Sequence, residues 1–188
     1  KSADPDLVAA DLIAQAEHDV NAQSILITDN KNLIKLVNLS LKKQLIKLPK
    51  KKIASRSLKY FGLAIFTKSK KKIIEIINTI APEHLELCTN YNNEIIKGVK
   101  NAGSIFIGKF SPEAIGDYIA GPNHVLPTSG SARFSSGLSV NDFLKKHSLI
   151  KITKTGIERL SASVINLAKH ENLEGHANSV KIRLKKGN

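Results

Sequence analysis

The sequence predicts an α/β fold, a parallel sheet with flanking helices, and three observations carry that expectation. Short apolar runs at 23–28, 63–67 and 104–108 have the length and the bounding turn residues of buried strands. Between them, 32–48 and 71–80 repeat Leu and Ile at helical spacing. Strands that alternate with amphipathic helices belong to parallel sheets, because each crossover helix brings the chain back to start the next strand in the same direction.

Taken in order, Asp4-Pro5 reads as an N-cap followed by the proline of a first turn, opening a helix to about His18. Gln23 to Thr28, closed by Asp29-Asn30, is the first strand. The helix from Asn32 to about Leu48 keeps its lysines on the face away from Leu and Ile. Leu63 to Thr67 is the second strand, and a helix follows from about Lys71 to Ile80. Ser104 to Gly108, introduced by Asn101-Ala102-Gly103, is the third. Gly116 to Thr128 follows, with two glycines, two prolines, Asp117 and His124 in a stretch with little to fill a core. Gly and Pro fix backbone directions, so this segment suits a loop that holds polar groups still.

From Thr128 to Gly137 the chain is small and polar, which suits a hinge. We therefore divide it into a main domain, 1–137, and a mainly helical tail, 138–188. Within the tail, Val140–His147 and Thr155 to about Glu171 predict helices, the second with Ile157, Leu160, Val164 and Leu167 as its apolar stripe. Val180–Leu184 alternates apolar and charged residues and predicts a short strand. Such a tail is too small to bury a core of its own, so it must dock on something.

Composition narrows the function classes. The chain has 188 residues, of which 41% are hydrophobic and 24% charged, ordinary for a globular domain. No apolar run reaches bilayer length and no secretory h-region opens the sequence. Cys88 is the only cysteine, which excludes an internal disulfide and a thiolate-rich zinc site and points to a reducing, cytoplasmic setting. Methionine is absent and the chain opens Lys1-Ser2-Ala3, as expected of a processed chain or a piece of a longer one. The net charge of +13 comes mostly from lysine, in runs such as Lys50-Lys51-Lys52 and Lys70-Lys71-Lys72. Such runs can neutralise phosphates, so a lysine-rich nucleic-acid-binding module is the alternative reading. Few arginines and no interleaved aromatics favour plain solvated faces instead.

Three further clusters stand out. Gln15 and His18, three apart on the first predicted helix, share a face and could both point at one ligand. Glu83-His84, after Pro82 at the end of an apolar helix, sets an acid beside an imidazole, the side chain that titrates nearest neutral pH. Glu171 and His176 bracket Asn172-Leu173-Glu174-Gly175 in the tail and alone would pass for surface residues.

Together the segments resemble histidinol dehydrogenase. The matching stretches are 11–18 (Asp11 to His18), 81–85, 101–104, the loop 116–128, 133–140 and the tail from Glu171 to Val180, in the family's order and at its spacing. The resemblance implies a Rossmann-like domain, here incomplete, and an oxidoreductase that takes L-histidinol through histidinaldehyde to L-histidine in two NAD-linked steps. It implies one zinc ion per site, held by Gln15, His18, Asp117 and His176, with the metal orienting the substrate's imidazole and amino group. His84 and Glu83 correspond to the proton-transfer pair, the first serving the alcohol and the second the attacking water. His124 and Glu171 correspond to substrate-contacting positions. A homodimer with shared sites is implied, the tail crossing to the partner. Family members are much longer, and this chain resembles their C-terminal portion. Most NAD contacts and a substrate-binding serine lie outside it, so turnover by this piece alone is not expected. No membrane association is implied, and intact ligand positions count against a degenerate, non-catalytic interaction domain.

Overall fold

The structure is a computed structural model and describes residues 3–185. It divides into two compact units, Lys1–Phe143 and Leu144–Asn188. The first unit is α/β. Its elements run α1 (Pro5–Ala16), β1 (Ser24–Thr28), α2 (Lys31–Lys47), α3 (Lys51–Phe61), β2 (Gly62–Phe66) and α4 (Lys70–Ile80). They continue through β3 (His84–Leu87), α5 (Asn92–Gly98), β4 (Ser104–Ile107) and α6 (Glu113–Tyr118), then 3-10 turns at Ser131–Arg133 and Val140–Phe143. The second unit holds α7 (Lys154–His170) and α8 (Glu174–Lys185).

The strands pair in parallel as expected, but as two two-stranded sheets, β1 with β2 and β3 with β4. Ser24 faces Gly62 in the first register and His84 faces Ser104 in the second. Asp4 caps α1 by accepting the N–H of Asp6, with Pro5 in the first turn, and Asn30 and Ser69 cap α2 and α4 in the same way. One core cluster, Ile73, Ile77, Leu87 and Ile95, packs α4 and α5 on the β3–β4 sheet. Another, Ala9, Leu33 and Val37, joins α1 to α2.

Five sequence expectations need correction. The lysine run at 50–52 opens α3, whose burial of Ala54 and Ser57 was hidden among charges. The segment from Gly116 is not loop throughout, since Gly116, Asp117 and Tyr118 close α6; α4 ends at Ile80 as expected, where Ala81 takes a left-handed turn (φ 51°) and Pro82 leads the chain into β3. His18 lies in the turn just beyond α1 rather than on it, because the helix stops at Ala16. Val140–His147 yields only the 3-10 turn Val140–Phe143. Val180–Leu184 is not a strand but part of α8, which packs on α7; Val180 and Leu184, four apart, share a face, while Ile182 is exposed. The lysine runs are solvent-exposed, and Lys70 reaches Glu94 at 2.6 Å, an ion pair on a wet surface. Among the described residues no helix is long and apolar enough to cross a membrane.

Candidate functional site

The site forms where β3, α6 and the loop after α6 converge. The turn at Ala81-Pro82 delivers Glu83 and His84 to the start of β3, and β4 holds them there. Gly103 N–H donates to Pro82 O at 2.9 Å and Ser104 N–H to Glu83 O at 2.8 Å. Gly103 has to be glycine for this approach, since a Cβ there would stand 2.5 Å from Glu83 O. Gly116 does the same for α6. A Cβ on it would press to 2.6 Å from the Phe106 ring, so its absence lets α6 lie against β4. Phe106 in turn leans on the His84 ring, with centroids 6.1 Å apart.

Four side chains then meet. His84 Nε2 and His124 Nε2 are 2.9 Å apart, one donating and the other accepting, and their rings stack with centroids 4.9 Å apart. His124 Nε2 also lies 2.8 Å from Asp117 Oδ1. Glu113 Oε1 approaches both imidazoles, 3.7 Å from His84 Nε2 and 3.6 Å from His124 Nε2. Glu113 opens α6 and Asp117 falls four residues on, so the two carboxylates share a helix face. Ligand-type atoms of His84, Glu113 and His124 all lie within 4.8 Å of one another, as do those of His18, Glu113 and Asp117. Gln15, half-buried in the last turn of α1, lines the same cleft as Glu83, His84 and Glu113.

These donors fit a divalent cation of borderline hardness. Imidazole nitrogens and carboxylate oxygens surround the point, and no thiolate is among them. Glu113 Oε1 is buried without a hydrogen-bond partner, and so is His84 Nδ1. Buried polar atoms left in this way mark a place meant to receive a further group.

Burial sets the protonation states. It pushes His84 down to about 4, with the His124 ring adding to the effect. At neutral pH the His84 imidazole is therefore uncharged and able to accept a proton. Burial raises Glu83, and burial with the Asp117 carboxylate raises Glu113. The linkage follows in sign. An unfolded His takes its proton near 6.5, the folded one near 4, so the stability His84 lends is complete above 6.5 and is lost as pH falls from 6.5 to 4. The loss is on the order of 3 kcal/mol at 1.36 kcal/mol for each pH unit between the two values. We expect the His84 ring protons to hold one NMR shift from pH 8 down to 5; a midpoint near 6.5 would contradict this.

The structure brings His18, Glu83, His84, Asp117 and His124, all marked in the sequence, into one neighbourhood, together with Glu113, which the sequence did not mark. Its signal was Ser111-Pro112-Glu113, a proline and an acidic residue at a helix start, with Asp117 one turn later. Glu171 and His176 lie in the second unit, at the end of α7 and in the first turn of α8, both exposed.

The fold and cluster define a class: an α/β scaffold presenting a group of imidazoles and carboxylates that could hold a metal, with Glu83 beside it. Residues 1–184 match the family description "Histidinol dehydrogenase". The histidinol dehydrogenase of Caldanaerobacter subterraneus is 52% identical over 97% of this chain and 43% of its own length. That of Pelagibacter ubique is 50% identical over 99% of this chain and 44% of its own. The crystal structure of histidinol dehydrogenase from Elizabethkingia anophelis superposes with a TM-score of 0.90 at 40% identity, covering 99% of this chain and 43% of that one. The chain belongs to the histidinol dehydrogenase family. It spans less than half the length of the curated relatives it matches.

Proposed function

We propose that this chain is the zinc- and substrate-binding portion of a cytoplasmic histidinol dehydrogenase, which oxidises L-histidinol through histidinaldehyde to L-histidine with two equivalents of NAD. The observation that supports this most is the convergence of His18 and Asp117 with the Glu83–His84 pair, residues separated by up to a hundred positions in sequence. Gln15, His18, Asp117 and His176 would hold one zinc ion. Zinc, when bound, supplies a Lewis-acidic anchor that orients the substrate's imidazole and amino group. NAD, when bound, accepts a hydride in each oxidation, and its contacts are expected mainly from the portion that relatives carry outside the matched span.

The chain's own residues do the rest. His84, neutral through burial, takes the hydroxyl proton as hydride leaves the carbinol carbon, which gives the aldehyde. Glu83 removes a proton from water as the oxygen adds to the aldehyde carbonyl. His84 gives up its first proton to solvent between the two oxidations; the hydrate anion then loses its hydride, His84 accepts the remaining hydroxyl proton, and the carboxylate results. His124, stacked on His84, and Glu171 would contact the substrate.

The second unit supports a shared site. Within α7, Leu160, Val164 and Leu167 of the apolar stripe are exposed, and in the segment before it Leu149 is 90% exposed. A helix pair that leaves its stripe to solvent needs another surface to cover it. We propose that it crosses to a second copy, so that Glu171 and His176 complete the partner's site in a homodimer. Mixing full-length His18→Ala and His176→Ala, each inactive alone, tests this. A heterodimer would gather both lesions in one site and leave the other intact, so each heterodimer regains one working site and activity should reappear. Heterodimers that form and remain inactive would refute the crossing.

A further inference from the structure

Two further carboxyl groups line the same cleft and take no part in the chemistry above. Asp11 on α1 and Glu86 on β3 are half-buried and hydrogen-bonded to each other through their side chains. Carboxyls in such contact cannot both stay charged, so the pair shares a proton. Burial, with Asp11 alongside, pushes Glu86 up to about 8. The other oxygen chemistry of Glu86 is directed at α6: Oε1 accepts the backbone N–H of Glu113 at 2.9 Å.

That N–H belongs to the first turn of a helix, where the backbone has no internal acceptor. The residue in the N-cap position is Pro112, which makes no side-chain cap. Glu86 therefore supplies the cap from a different element. It stands two residues after His84 on β3, so both side chains leave the same face of the strand. One neighbour on that face reaches the Glu113 carboxylate and the other grips the Glu113 backbone. Helix α6 carries Glu113 and Asp117 on one face, so whatever fixes its first turn fixes both carboxylates relative to His84.

We infer that Glu86, backed by Asp11, is a positioning residue: by capping α6 from β3 it sets Asp117 and Glu113 in place against His84. The inference rests on the reading of Asp117 as a metal ligand. Partners that orient ligands in this way typically contribute about 10- to 100-fold in metal affinity.

The test uses the full-length enzyme, the chain completed to the length of its relatives, with zinc affinity measured by chelator competition. Amide exchange of the peptide containing Glu113 is followed by mass spectrometry. Glu86→Leu removes the acceptor and should weaken zinc about 10- to 100-fold while the Glu113 amide loses protection. Glu86→Gln keeps a carbonyl for Glu113 and an amide for Asp11, so both readouts should stay near wild type. Wild-type zinc affinity in Glu86→Leu, or a Glu86→Gln as defective as the leucine variant, would overturn the proposal. Should Glu86→Leu not fold, Glu86→Gln decides: kept zinc and a protected Glu113 amide support the cap, and loss of either overturns it. Amide exchange needs no metal, so the cap is judged separately if His18→Ala and Asp117→Ala show that zinc binds elsewhere.

Discussion

In the full-length enzyme, Glu83→Gln is expected to slow oxidation of supplied histidinaldehyde roughly 10²–10⁴-fold, the usual contribution of a positioned acid or base, and to slow hydride transfer from histidinol far less. His84→Asn is expected to slow both. The asymmetry follows from chemistry and placement. Alcohol oxidation needs a base at the hydroxyl, and His84 is the neutral, buried imidazole that can act as one. Aldehyde oxidation first needs water added to the carbonyl, and Glu83 is the carboxylate beside it, raised by burial toward the strength of a useful base. Single-turnover NADH formation from each substrate separates chemistry from binding and product release. Equal slowing of both steps by Glu83→Gln would mean that the carboxylate only orients His84, and the division of labour would be discarded.

Much of the fold and the site was legible in the sequence, and the exceptions have physical causes. Strands β1, β2 and β4 and helices α1, α2, α4 and α7 announce themselves because each has one apolar face or run and a capping residue such as Asp4, Asn30 or Thr153. Helix α3 does not, because it opens within a run of lysines and buries only small residues, Ala54 and Ser57. Strand β3 is concealed because it is only four residues long, His84 to Leu87: its polar–apolar alternation is too short to stand out directly after Pro82. The strand expected at 180–184 failed because five residues are too short for alternation to decide: Val180 and Leu184 also satisfy the i, i+4 spacing of a helix, and Ile182 is simply exposed. Among site residues, Asp117 and His124 were marked by the Gly- and Pro-rich segment that holds them. Glu113 lay just before that segment, and only the fold shows its carboxylate reaching both imidazoles. Glu86 was invisible for a deeper reason, since its partner Asp11 and its client Glu113 are each distant in sequence.

The central claim is that residues far apart in this sequence converge to hold one zinc ion beside Glu83 and His84. The structure brings His18 and Asp117 together with Glu113 so that their ligand atoms fall within 4.8 Å of one another. Removing a direct ligand should cost more than removing an orienting partner, hence more than about 100-fold in affinity. The most direct measurement is metal analysis of the purified full-length enzyme after dialysis, comparing wild type with His18→Ala and Asp117→Ala. The account predicts one zinc per site in the wild type and its loss from both variants, each still folded by circular dichroism. Stoichiometric zinc retained in both variants would contradict it.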